Sequence, residues 1–327
     1  MLSGEDELIA RYFQPLATDP GAFGLSDDAA VLKGSADDLV VTTDAIVEGV
    51  HFLPGDPPDT VARKALRVNL SDLAAKGAAP AGFVLTLALR EVNDGWLTAF
   101  ARALGEDAKA FACPLLGGDT VATPGPLTIS ITAFGRVPAG KMVRRGGARA
   151  GDAVVVTGTI GDATLGLAVL KSGLSAGALT ADAVVREALV QRYRVPQPRV
   201  ALAPAVRDHA SAAMDVSDGL AGDLAKLCKA SGVSAEIALE RVPLSSQARS
   251  YLSAGATTIE ALVSGGDDYE ILCAVPRDRL SAFLATVQSA GLAASAIGVI
   301  RDGDAAPRFM AADGREVLLK RGSFSHF

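Results

Sequence analysis

Ala212-Ala213-Met214-Asp215-Val216-Ser217-Asp218-Gly219-Leu220 compresses three signals into one short stretch. An apolar run suited to a strand meets a Ser-Asp-Gly turn, and a helical apolar pattern then continues from Gly219 to Ala230. The same succession recurs along the chain. Leu39 to Thr43 reads as a strand, and Thr60 to Lys76 carries the i, i+3, i+4 apolar spacing of a helix closed by Gly77. Strands follow at Phe83–Leu89, Leu127–Phe134, Val154–Thr157, Tyr269–Val275 and Ala293–Ile300. Helices are expected at Gly95–Phe111, Asp162–Lys171, Ala181–Arg192 and Arg277–Ala290. Strands interleaved with helices in both halves predict two α/β domains, while strand order and direction stay open.

The chain has 327 residues, which favours two domains, each able to bury a core. Between Pro138 and Asp152 the pattern breaks into Gly, Pro, Lys and Arg, the look of an interdomain connection. The expected division is therefore 1–138, a connection at 139–152, and 153–327. A net charge of −6, with no basic stripe to offset it, argues against a nucleic-acid partner. The acidic start Met1-Leu-Ser-Gly-Glu-Asp-Glu is unlike a signal peptide. The longest apolar stretch, Ala79 to Leu89, contains Pro80 and Gly82 and is too short to span a bilayer. No membrane association is expected, and a reducing cytoplasm is the default. Cys113, Cys228 and Cys273 stand apart in apolar strings, without CxxC pairing, and read as buried thiols.

The chemistry lies in aspartates set where strands end and turns begin: Asp27-Asp28, Asp44, Asp72, Asp119, and Asp215 with Asp218. Singly, each is as well explained as a turn or N-cap residue. Their shared context, apolar run then small residues then Asp, points instead to a gathered set. Carboxylate oxygens without His or Cys partners suit Mg²⁺ or Ca²⁺ rather than zinc. Such a set would repel itself, and any phosphate, unless cations stood between. With Mg²⁺ bridging, it becomes a seat for a polyphosphate. No GxxxxGK[ST] is present, so this is not a P-loop; Gly117-Gly118 beside Asp119 would let backbone N–H groups approach a phosphate. From residues alone, the reading stops at Mg-ATP and a small anion.

Three motifs carry it further. They are Thr42-Thr43-Asp44 with Glu48-Gly49-Val50-His51-Phe52, Asn69-Leu70-Ser71-Asp72-Leu73-Ala74-Ala75-Lys76-Gly77, and Ser264-Gly265-Gly266-Asp267-Asp268-Tyr269-Glu270. With the acidic opening and Phe324-Ser-His-Phe327 at the close, they resemble the thiamine-monophosphate kinases nearly end to end. That family belongs to an ATP-binding superfamily with aminoimidazole ribonucleotide synthetase, selenophosphate synthetase and a hydrogenase-maturation protein. The resemblance implies a two-domain synthetase-like fold, mixed α/β and α+β. Its N-terminal ATP- and Mg-binding domain would pair with a second copy into a dimeric β-barrel, and its C-terminal domain would be α/β. It implies ATP as co-substrate, several Mg²⁺ ions, thiamine monophosphate as acceptor, and a homodimer.

By the same resemblance, Asp28, Thr42, Thr43, Asp44, Asp72, Asp119, Asp215 and Asp218 would hold the Mg²⁺ ions, the threonines through hydroxyl or carbonyl oxygens. Phe111, Gly118, Asp119, Arg145 and Ser217 would contact ATP; His51, Asp267 and Phe324 would contact the thiamine ester. Three departures stand out: Ser26 where the family commonly has Gly, Phe111 where it often has Tyr, and Asp267 where Glu is common. No dedicated catalytic base is implied. The sister selenophosphate synthetase is disfavoured because no Cys precedes Cys113. A silent Mg-nucleotide sensor on the same cradle is the rival of a different class; it would bind ATP without turnover.

Overall fold

The computed structural model describes residues 7–27, 29–171 and 183–319. The chain divides into two compact units, Met1–Leu73 with Ala78–Met142, and Ala74–Gly77 with Val143–Phe327.

The first unit is a four-stranded sheet backed by two helices. Its strands are β1 (Asp38–Val47), β2 (Ala79–Leu89), β3 (Leu115–Ala122) and β4 (Thr128–Val137), in the order β1-β4-β2-β3. β4 runs antiparallel to both neighbours, whereas β2 and β3 are parallel. A parallel pair needs a crossover, and α2 (Asp94–Ala110) supplies it. Asn93 caps α2 by accepting from the Trp96 N–H at 2.9 Å. The other helix, α1 (Pro58–Ala75), buries Val61, Leu66, Leu70 and Leu73 at the expected helical spacing.

Alternation in β4 fixes which face is inside: Ile129, Ile131, Ala133 and Val137 are buried, with half-buried residues between them. On β1 the complementary positions Leu39 and Val41 remain 46% and 55% exposed. Among the described residues the sheet is open, with β1 and β3 as its edges. β3 was not expected, because its Gly-Gly-Asp-Thr core has the composition of a turn.

The second unit holds a six-stranded sheet, ordered β10-β7-β9-β5-β8-β6. The strands are β5 (Ala153–Thr157), β6 (Ala212–Asp215), β7 (Ser234–Ala238), β8 (Ile271–Val275), β9 (Ala294–Arg301) and β10 (Arg308–Met310). Every pairing is antiparallel except β10 with β7. The helices are α3 (Asp162–Leu170), α4 (Ala183–Arg194), α5 (Ala203–His209), α6 (Leu220–Ser231), α7 (Ser246–Ser253), α8 (Ile259–Ser264) and α9 (Arg277–Ser289). β5 and β8 are buried at every position, which explains their unbroken apolar runs: both faces of the sheet are covered. Val154, Met214 and Leu272 join one core with Leu220, Leu224, Tyr251 and Leu262. Val155, Ala213 and Ile271 join the other with Leu202, Val206 and Phe283. Short β7 and β10, and the helices α5, α7 and α8, had no sequence expectation.

Candidate active site

In the second unit, β6 ends at Asp215 and the chain turns through Val216, Ser217 and Asp218 into α6. Asp223, one turn into that helix and fully buried, accepts the backbone N–H groups of Ser217 and Asp218, both at 2.9 Å. One carboxylate oxygen thus fixes the turn as a capping group would. Its other oxygen accepts from Lys226 Nζ at 2.8 Å, and the same ammonium donates to Asp218 Oδ2. Burial pushes the Asp223 carboxyl up against the pull of Lys226. Desolvation works against the Lys226 charge, but its hydrogen bonds to Asp218 and Asp223 win and raise it.

The Ser264–Glu270 loop closes on this turn. Asp267 N–H donates to Ser217 O, Tyr269 N–H to Val216 O, and Val216 N–H to Glu270 O, each at 2.8 Å. Asp267 and Tyr269 sit at φ 69° and 51°, a left-handed backbone that L side chains rarely adopt, so something must hold them there. Glu270 does. It is fully buried and receives Arg199 at both oxygens, through Nε at 2.7 Å and through Nη2. Arg192 Nη2 and Thr157 Oγ1 add bonds at 3.0 and 2.7 Å. Asp268 is buried against the N–H of Gly161, which both its oxygens accept at 3.0 and 2.9 Å.

Two glycines let the segments meet. A Cβ on Gly266 would lie 2.3 Å from Ser217 O, and one on Gly219 would lie 2.7 Å from the Ser264 carbonyl carbon. Gly219 also takes φ 107°. The structure therefore brings Asp215, Ser217, Asp218 and Asp267 together. Arg145 lies in the same unit, exposed, in the polar segment before β5.

In the first unit, Thr42 and Thr43 lie inside β1 and Asp72 inside α1, within the strand and helix expected there, whereas Asp44, expected just past the strand, also lies inside β1. The helix places Asp72 against the sheet, where its Oδ2 accepts from Thr42 Oγ1 at 2.5 Å. Thr43 Oγ1 donates to Ile131 O at 3.2 Å and accepts from Thr132 Oγ1 at 3.0 Å. Asp119 lies inside β3, opposite Thr86. Asp44 and Gly118 occupy one row across the sheet, through Ile131 and Leu85. Three strand spacings separate them, about 14 Å, so the sheet does not bring Asp119 to Asp44.

Gly118 is required where a Cβ would fall 2.0 Å from Leu85 O, beside the bulge at Phe83/Val84; nothing approaches a Cβ at Gly117 within 4 Å. Both glycines and Asp119 line a cavity of about 330 Å³ with Phe13, Leu25 and Leu116.

His51 occupies the turn after β1. Its Nδ1 accepts from Val47 N–H at 3.0 Å, which puts the proton of a neutral ring on Nε2. Buried Lys64 anchors the same residue through the His51 carbonyl, at 2.8 Å. Phe111 ends α2 with the Arg67 guanidinium 5.4 Å over its ring. Asp28 and Phe324 lie outside the described residues.

The aspartates and threonines expected to hold an ion offer only oxygens, and within the second unit the chain already neutralises Asp218 with an ammonium. That chemistry fits a hard divalent cation. Among the described residues, no three His, Cys, Asp or Glu side chains are gathered closely enough to form a metal site of themselves. The three cysteines are buried and unpaired, as expected, and burial pushes Cys113 and Cys273 up to about 12 and Cys228 to about 11. Sequence reading missed Asp223, Lys226 and the Arg192–Arg199–Glu270 cluster. The Asp223-x-x-Lys226 spacing on a helix was the one available signal.

Residues 26–137 match the family described as AIR synthase related protein, N-terminal domain, and residues 149–307 match its C-terminal domain. Fold and site thus define an AIR synthase-related protein of two units. The thiamine-monophosphate kinase of Caulobacter vibrioides is 45% identical, over 98% of this chain and 90% of that one. The crystal structure of thiamine-monophosphate kinase from Stenotrophomonas maltophilia K279a superposes with a TM-score of 0.82 at 36% identity, covering 95% and 96% of the two chains. AaThiL complexed with AMPPCP and TMP gives 0.78 at 31% identity, covering 94% and 97%. This chain belongs to the thiamine-monophosphate kinase family.

Proposed function

We propose that the protein is an ATP-dependent kinase that transfers the γ-phosphate of ATP to the phosphate of thiamine monophosphate, giving thiamine diphosphate and ADP. The observation that carries this is the near full-length likeness to a relative solved with AMPPCP and TMP. The hydrogen-bonded union of the Ser217–Asp218 turn with the Asp267 loop supports it, because these are the segments to which we assign nucleotide and acceptor contacts.

The acceptor oxygen belongs to a phosphate monoester whose second pKa is about 6, so it is largely ionised at neutral pH and needs no base. In-line attack on the γ-phosphorus then depends on positioning and charge. Ser217, Gly118, Asp119, Arg145 and Phe111 hold ATP. Arg145 offers a planar fork for phosphate oxygens. Phe111 offers a ring face, without the phenol hydroxyl of a Tyr. Asp267, His51 and Phe324 hold the thiamine ester, with His51 presenting a donor at Nε2. Asp28, Thr42, Thr43, Asp44, Asp72, Asp119, Asp215 and Asp218 are the oxygen ligands for Mg²⁺. When bound, Mg²⁺ neutralises charge on the phosphates as it develops.

The segment 1–138 serves as the ATP- and Mg-binding and dimerisation domain, 139–152 as the connection and 153–327 as the C-terminal domain. Two copies pair through the sheet edges β1 and β3 into a closed barrel. This pairing would bury the exposed Leu39 and Val41 and set one copy's Asp119 beside the other's Asp44. Among the described residues no helix is long and apolar enough to cross a membrane, and the reaction belongs in the cytoplasm.

The test is ADP release from ATP and Mg²⁺ with a panel of phosphate esters. Turnover that rises with thiamine monophosphate is expected. Nucleotide binding without turnover on any ester would return the protein to the sensor class.

A further inference from the structure

Lys226 holds two carboxylates that differ in kind. Asp223 is fully buried and committed to the turn through the Ser217 and Asp218 N–H groups. Asp218 has a third of its side chain exposed, and the lysine amine is its sole side-chain partner among the described residues. The ammonium, 39% exposed at its side chain and linked to Asp223 as i, i+3 on α6, therefore already occupies one of the two oxygens that Asp218 would offer a cation.

We propose that Lys226 is a resident counter-cation. It occupies Asp218 in the metal-free protein, competes with a divalent ion for that carboxylate, and yields it while keeping its bond to Asp223. The proposal rests on the reading of Asp218 as a metal ligand. Two consequences separate this role from a merely structural one. The metal-free turn is stabilised by an internal charge, so removing the charge should lower thermal stability. The same removal should make the turn a better cation site, whereas loss of a purely structural contact would loosen the turn and weaken binding.

The experiment titrates Mn²⁺, followed by its EPR signal, into the full chain without nucleotide, and records melting in EDTA for the same variants. For Lys226→Met, tighter Mn²⁺ binding by about fivefold is expected, the size of a partly exposed ion pair. Melting in EDTA should fall and recover as Mn²⁺ is added. Lys226→Arg, which restores the charge, should bind as the parent does, and Lys226→Gln should repeat the Met result without the longer apolar chain. Equal or weaker Mn²⁺ binding in both neutral variants overturns the proposal. Asp218→Asn in the same titration separates the two layers. If it weakens Mn²⁺ binding while the lysine variants change nothing, only the counter-cation role falls. If it leaves binding untouched, the assignment of Asp218 falls and takes the proposal with it.

Discussion

Two acidic segments of the second unit touch, yet their carboxylates live differently. Glu270 and Asp268 are buried, and their oxygens are consumed by guanidinium groups, a threonine hydroxyl and a backbone N–H. Asp218 is one-third exposed and held by one lysine. A buried carboxylate with fixed partners has no oxygen to offer and holds the chain in place; an exposed one with a single cationic partner can exchange it. What separates a fixed acid from an exchangeable one here is the number of permanent donors around it, not its place in an acidic motif.

The most damaging way to break the comparison is Glu270→Ala, which strands two guanidinium groups in the interior. Loss of one partner from a buried ion pair costs about 3–5 kcal/mol, so urea unfolding should show a drop of that order. A change under about 1 kcal/mol would mean that the cluster is not what holds the loop.

Next comes the converse: Asp44→Ala or Asp218→Asn should lower kcat by about a hundredfold or more, as expected when charge stabilisation at a transferring phosphoryl group is lost. The unfolding curve of Asp44→Ala should stay where it was, while that of Asp218→Asn should shift only by the loss of one partly exposed ion pair. Unchanged turnover in either variant would remove that residue from the ligand set.

The smallest effect sharpens the contrast through pH. Burial raises the Asp268 carboxyl well above its ordinary value, although the Gly161 N–H and Arg192 pull it back, while Asp162 and Glu270 push the same way as burial. The folded chain then holds this proton longer than the unfolded one. Its contribution is full below the unfolded pKa and is lost as pH climbs through the raised folded value. Relative to Asp268→Asn, the parent should lose stability between acid and neutral pH. Urea midpoints measured across that range would show the difference, and parallel profiles would count against it.

The sequence made some of this plain and hid the rest for identifiable reasons. β5 and β8 were legible because both faces are covered, so no polar residue interrupts Val154–Val156 or Ile271–Ala274. α1 was legible from its apolar spacing. β3 was not, since its pairing with β2 is set by a bulge and a glycine that local composition assigns to a turn. Asp72 sits within the helix its spacing predicted, but only the register of α1 against β1, which local sequence does not show, brings it to Thr42. Glu270 could not be told from Asp267 in Gly-Gly-Asp-Asp-Tyr-Glu, because the arginines that define it stand 71 and 78 residues away.

The close fit of Gly219 and Gly266 carries a consequence for inheritance. Each glycine leaves room for backbone from the other's segment, so the two segments form a mortise and tenon cut from distant stretches of gene. A change of shape in one is penalised by the other, and viable drift must move both in step. Anyone grafting the 264–270 loop from a relative should transplant residues 214–220 with it as one cassette.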